Sequence, residues 1–168
     1  MVLPTGPNCG RSSTRAAEAW GRRLTAVDTN ILVYAHRLDS PWSEPAGRYL
    51  RGLAEGAAIW AIPWPCAHEF LAIVTHPRVF RPPTPLEKAL ADLEVWFESP
   101  SLRLIGEGPT YWQEFSRAAR QGLVAGPVVH DARIAAICLE HGVKTLLSAD
   151  RDFSRFPGIE VINPLVAR

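Results

Sequence analysis

The chain has 168 residues, 47% of them hydrophobic, which is enough for one compact domain with a substantial core and too little for two. Its formal net charge is +1, from 18 Lys and Arg against 17 Asp and Glu, so no global charge excess announces a polyanion partner and any such site must be a local patch. The cysteines, Cys9, Cys66 and Cys138, form no close pair, which excludes a disulfide framework and a cysteine-based zinc site, and no apolar run reaches the roughly 18 residues of a membrane span. A protein without a membrane anchor, working in the reducing cytoplasm, is the expectation.

Residues 1–23 are rich in Gly, Pro, Ser and Arg with sparse apolar residues, and are expected to form a disordered extension, with translation starting near Leu24 as an alternative. The folded domain is expected to span 24–168. From Leu24 a short apolar run ends in Asp28-Thr29-Asn30, and ILVYAHR then has helical character, giving strand, carboxylate, helix. SEPAGRYLRGLAEG is amphipathic, with Ala46, Tyr49, Leu50 and Leu53 on one face, and AAIWAI is a second buried strand. Pro63 and Pro65 punctuate the chain before AHEFLAIVTHP, a helix carrying Glu69 and ended by Pro77.

RVFRPPTP reads as a surface loop. Thr84 followed by Pro85 and Glu87 predicts a helix start, with Leu86, Leu90, Leu93 and Phe97 as its apolar stripe. LRLI is a third strand, and PTYWQEFSRAARQG a helix stopped by Gly122. AGPVV reads as a connection, and HDARIAAICLEHG as a helix beginning near Asp131 and stopped by Gly142. KTLLSAD is a strand ending in an acid, Asp150, and GIEVINP supplies a fifth strand. Short apolar strands alternating with amphipathic helices predict an α/β domain in three layers, a central mainly parallel sheet flanked by helices.

In such sheets ligands bind outside the carboxyl ends of the strands, where Asp28 and Asp150 are placed. Acids sharing one rim raise each other's pKa unless a cation neutralises them, and an all-oxygen donor set suits magnesium or manganese. Each acid also has a plainer role: Asp28 and Asp131 as caps or dipole partners, Asp150 and Asp152 as turn formers around Arg151, Glu69 as a solvent-facing helix residue.

Together, VDTNILVYA, HEFLAIVTHP, HDARIAAICLEHG and LLSADRDFSRFPGIEVINP resemble, in order and spacing, the four motif blocks of PIN-domain ribonucleases, and most closely the VapC toxins of type II toxin-antitoxin modules. The resemblance runs from about Leu24 to the C-terminus. It implies a Mg2+-dependent endoribonuclease (Mn2+ as an alternative ion) with Asp28, Glu69, Asp131 and Asp150 as catalytic acids. Asp28, Asp131, Asp150 and Asp152 become the metal ligands, and Thr29, Asn30 and Ser148 supporting polar residues. It also implies an RNA substrate, a VapB-type antitoxin and a homodimer. Arg151 and Arg155, flanking the fourth acid, are candidate RNA contacts, with Arg37, Arg78, Arg81 and Arg133 as further cations. Trp42, Trp60, Trp64, Trp96 and Trp112 are candidate stacking surfaces. The alternatives are a PIN-domain RNA-processing nuclease outside any toxin module, a catalytically silent RNA-binding module, and a phosphatase using Asp28 as nucleophile, which Asn30 disfavours.

Overall fold

The computed structural model describes residues 24–166, so the expected N-terminal extension lies outside the described residues. Five strands, β1 (Thr25–Val27), β2 (Trp60–Pro63), β3 (Leu102–Ile105), β4 (Thr145–Leu147) and β5 (Glu160–Ile162), form one parallel sheet in the order β3-β2-β1-β4-β5. The helices are α1 (Thr29–His36), α2 (Ser43–Glu55), α3 (Trp64–Val74), α4 (Leu86–Phe97), α5 (Tyr111–Gln121) and α6 (Val128–Glu140), followed by a 3-10 turn at Asp152–Arg155.

The chain winds outward from β1 to β3 and then crosses back to β4. Right-handed crossovers therefore place α1 to α4 on one face and α5 and α6 on the other. Helix packing follows that division: α1 lies on α2 and α3, α3 on α4, and α5 on α6. The strands are short and nearly continuous in apolar side chains because both faces are covered. Trp60, Ile62, Leu146 and Val27 from the sheet, Ile31, Leu32 and Phe70 from one helical layer, and Ile137 and Phe156 from the other side are fully buried. Strand order reverses between β1 and β4, which opens a crevice at their carboxyl ends.

Several local expectations are corrected. Tyr49 is exposed, while Ala46 and Leu50 carry the buried face of α2. Leu86 is exposed and the α4 stripe is held by Ala89 and Leu93. Thr84 does not cap α4, because its hydroxyl is engaged by His36 Nε2 at 2.8 Å and Pro85 takes the cap position. Helix α6 begins at Val128, so Asp131 lies inside its first turn rather than at the cap. Strand β4 ends at Leu147, and the position in line with Asp28 is Ser148, with Asp150 two residues further on.

Candidate active site

Asp28 extends β1 by donating its N–H to Leu147 O at 3.0 Å, then turns the chain into α1 as N-cap. Its carboxylate is only 4% exposed. Oδ1 accepts from Thr29 N at 2.7 Å, and Oδ2 accepts from Asn30 Nδ2 at 2.5 Å and Ser148 Oγ at 2.7 Å. Burial pushes its pKa up from 3.8 to about 6, against the pull of these donors, and the charges of Glu69 and Asp131 push the same way.

Asn30 and Ser148 tie the two strand ends together. The Asn30 amide also donates to Ser148 Oγ at 3.0 Å, and Asn30 Oδ1 accepts from Ala149 N at 3.0 Å. Ser148 Oγ in turn accepts from Asp150 N at 2.9 Å, and Asp150 Oδ1 accepts from Asp152 N at 2.8 Å. Thr29 reaches across to α3, its hydroxyl donating to Glu69 Oε2 at 2.6 Å. The three polar residues after and opposite the first acid thus orient Asp28, Glu69 and Asp150 through hydrogen bonds.

Asp28, Glu69, Asp131 and Asp150 line a single cavity of about 290 Å³, together with Thr29, Asn30 and an apolar wall that includes Val33, Tyr34, Ile73, Ile134 and Phe153. The sequence reading omitted that wall, which comes from three helices and the 3-10 turn. Asp131 is pushed up to about 6, chiefly by desolvation and then by Asp150, Asp152 and Glu69, with His130 opposing. Among the described residues, carboxylate oxygens of Asp131, Asp150 and Asp152 come within 4.8 Å of one another. Asp28 and Glu69 stand outside that closest group, their oxygens engaged by Thr29, Asn30 and Ser148.

The donor chemistry fits a hard divalent cation: several carboxylates, no thiolate or imidazole in the cluster, and burial, reinforced by neighbouring carboxylates, that pushes Asp28 and Asp131 up to about 6. Cys66 and Cys138 are buried and free, and burial raises both thiols, so neither offers a thiolate. Arg155 pairs with Asp152 at 3.1 Å, which spends its charge inside the acidic rim, while Arg151 is exposed beside a second depression that shares Asp150. Among the candidate stacking residues, Trp60 is fully buried, Trp42, Trp64 and Trp112 are exposed, and Trp96 packs edge-on to Phe70. The His36 side chain is buried between Asp92 at 2.6 Å and Thr84, and does not line the acidic cavity. Among the described residues, no helix is long and apolar enough to cross a membrane.

The PIN-domain family profile matches residues 25–159. Ribonuclease VapC48 of Mycobacterium tuberculosis is 32% identical over 137 residues, covering 82% of this chain and 94% of the relative. Ribonuclease VapC43 of the same organism is 32% identical over 142 residues, covering 84% and 96%. In fold, the chain resembles VapBC2 from Rickettsia felis bound to a promoter DNA fragment, with TM-score 0.61, 20% identity and coverage of 83% and 98%. It also resembles Mycobacterium tuberculosis VapC20, a sarcin-ricin loop cleaving toxin, with TM-score 0.59, 16% identity and coverage of 82% and 98%. With the motif blocks meeting in one acidic crevice and both profile and relatives spanning nearly all of the described chain, this protein belongs to the PIN-domain family, in its branch of VapC ribonucleases.

Proposed function

We propose that the chain is a Mg2+-dependent endoribonuclease and the toxin of a type II toxin-antitoxin module. The convergence of Asp28, Glu69, Asp131 and Asp150 on one cavity at the sheet's switch point carries this reading. The names of its relatives, ribonucleases VapC48 and VapC43, support it. Solved VapBC assemblies of the same fold support a VapB-type antitoxin as partner.

Asp131, Asp150 and Asp152 would hold the cation, a reading their mutual proximity supports, with Asp28 completing the site from the lining of the cavity. A bound divalent ion supplies Lewis-acid stabilisation of the phosphoryl oxygens and a water acidified for in-line attack; manganese satisfies the same oxygen donors. The protein's own contribution is preorganisation. Ser148 and Asn30 fix the Asp28 carboxylate, Thr29 fixes Glu69, and the Val33, Tyr34 and Phe153 wall excludes bulk water from one side. Because ligation requires charged carboxylates, cation affinity falls as pH drops below about 6.

The test is mapping of new RNA ends after brief induction, wild type against Asp28→Asn and Asp131→Asn, with growth followed in parallel. The reading expects growth arrest and discrete new ends for wild type only, with both variants folded. Arrest without RNA cleavage removes the nuclease reading, and cleavage undiminished in both variants removes the metal-site assignment. A short reading frame found just upstream, and relief of arrest when it is co-expressed, test the antitoxin.

A further inference from the structure

Next to the acidic cavity, and distinct from the depression beside Arg151, lies a further depression of about 340 Å³. It shares Glu69 and Ile134 with the cavity, and Pro65, His68, Ala72, His130 and Arg133 form the rest of its surface, so the two adjoin. Its chemistry is the opposite of the cavity's: two imidazoles and a guanidinium against the single carboxylate at the shared border.

Against its His68 side stands an aromatic platform, built by a residue that does not itself line the depression. Trp64 lies one turn before His68 on α3, and the two rings stack with centroids 5.8 Å apart at 27°. Trp64 is held in place from behind. Phe97 packs edge-on to it at 5.9 Å, and Gly106 sits so close that a Cβ there would lie 3.3 Å from Trp64 Cδ1. Even so, the indole is 40% exposed, a large planar surface fixed in orientation yet open to solvent.

The polar groups have capacity to spare. The ring nitrogens of His68 and His130 have no hydrogen-bond partner among the described residues. Arg133 pairs with Glu107 at 2.5 Å, but both side chains are about 40% exposed, so this ion pair is weak enough to exchange for a phosphate. Trp112 is more exposed, but it lies on α5 and stacks on Phe115, which does not line the groove, whereas Trp64 stacks on His68, which does.

We propose that this groove is a nucleotide subsite: an unpaired base flanking the scissile phosphate stacks on the Trp64–His68 pair, and its own phosphate is met by His130 and Arg133. The proposal rests on the nuclease reading and adds to it the residues that hold the nucleotide beside the cut. A cavity lined by carboxylates repels a polyanion, so affinity has to come from beside it, and base stacking with cationic contacts is how single strands are held without duplex geometry.

The experiment uses the full chain and a single-stranded RNA oligonucleotide carrying a mapped cut site, together with the same oligonucleotide made abasic at each nucleotide flanking the cut. Trp64→Ala raises KM roughly tenfold, the scale of one lost stacking contact, and leaves kcat within about twofold. Trp64→Phe recovers most of the loss, which separates stacking from misfolding. Removing the base from one flanking position costs the wild type the same factor, and Trp64→Ala then adds nothing. Binding of the same oligonucleotide in chelator, followed by fluorescence anisotropy, keeps the same order. A Trp64→Ala protein that cuts and binds like wild type overturns the subsite and leaves the nuclease reading intact, as do losses from variant and abasic substrate that multiply. A wild type that cuts no RNA yet loses binding in chelator with Trp64→Ala overturns the nuclease reading and retains the subsite.

Discussion

The buried carboxylate of Asp28 makes the metal-free protein sensitive to pH in a direction opposite to that of an ordinary salt-bridged acid. In the unfolded chain this carboxyl ionises near its usual value of 3.8, whereas in the fold it keeps its proton to about 6. Between those values the folded state binds the extra proton, so stability is highest at or below pH 4 and is lost as pH rises through 6. A gap of about two pH units corresponds to about 3 kcal/mol. For a domain of this size that is roughly 6–12 °C in Tm. Asp131 shifts the same way but is half exposed, so solvent screening makes its share smaller.

The assay is urea denaturation in chelator at pH 4.5 and 7.5, wild type against Asp28→Asn. Comparing the pair removes contributions common to both, including that of His36. Burial depresses the His36 pKa, so that group favours stability as pH rises toward 6.5. Wild type is expected to lose about 2 kcal/mol relative to Asp28→Asn between the two pH values, because pH 4.5 already lies inside the 3.8-to-6 window, and saturating Mn2+ to restore much of the loss by binding only the folded, ionised site. A difference between the two proteins that is the same at both pH values refutes the assignment of Asp28 as a desolvated acid. A loss that Mn2+ leaves untouched refutes its place beside a cation.

Three further outcomes follow from particular contacts. Ser148→Ala removes the donor to Asp28 and the acceptor for Asn30 and the Asp150 N–H. It should destabilise the protein by about 2 kcal/mol in urea melts and lower the RNA cleavage rate at least roughly tenfold. Gly122→Ala places a Cβ 2.9 Å from Phe156 Cε1 and 3.1 Å from Ala118 O. Thermal melts should show a loss of about 1–3 kcal/mol, with cleavage per folded molecule unchanged. Finally, thiol labelling at pH 8 should leave Cys66 and Cys138 unmodified in the native protein and reach both in denaturant, because burial holds each as a neutral thiol.

The layered architecture was legible because every strand is a short apolar run and every helix carries a stripe, patterns that depend only on local spacing. The errors came where a tertiary contact outbid a local preference. Thr84 followed by Pro85 has the form of a helix start, yet its hydroxyl faces His36, 48 positions away, and Asp92 holds the other ring nitrogen. No local pattern encodes that pairing. Helix α6 starts three residues before Asp131 because Gly126, with φ +56°, and Pro127 already turn the chain into it. The candidate acids were picked by motif order, and Asp28 and Asp150 also by strand-end position, while the cavity's apolar wall comes from separate elements and Trp64 is buttressed by Phe97 and Gly106 from elsewhere in the chain.

The position of Ser148 explains why the site has the charge distribution it has. β1 and β4 are adjacent parallel strands with Val27 opposite Leu147, so the residues that follow, Asp28 and Ser148, emerge side by side. A second carboxylate there would set two buried like charges against each other with no room for solvent. A serine instead gives Asp28 a proton donor at 2.7 Å and, through the same oxygen, anchors the Asp150 N–H at 2.9 Å. The next acids are thereby displaced to the more exposed rim, where Asp150 and Asp152 meet Asp131. The sheet register thus divides the carboxylates into one buried, preoriented member and a looser outer group. If the proposed cation site holds, the outer three would set how tightly the ion is held, while Asp28, fixed by Thr29, Asn30 and Ser148, would set where it sits.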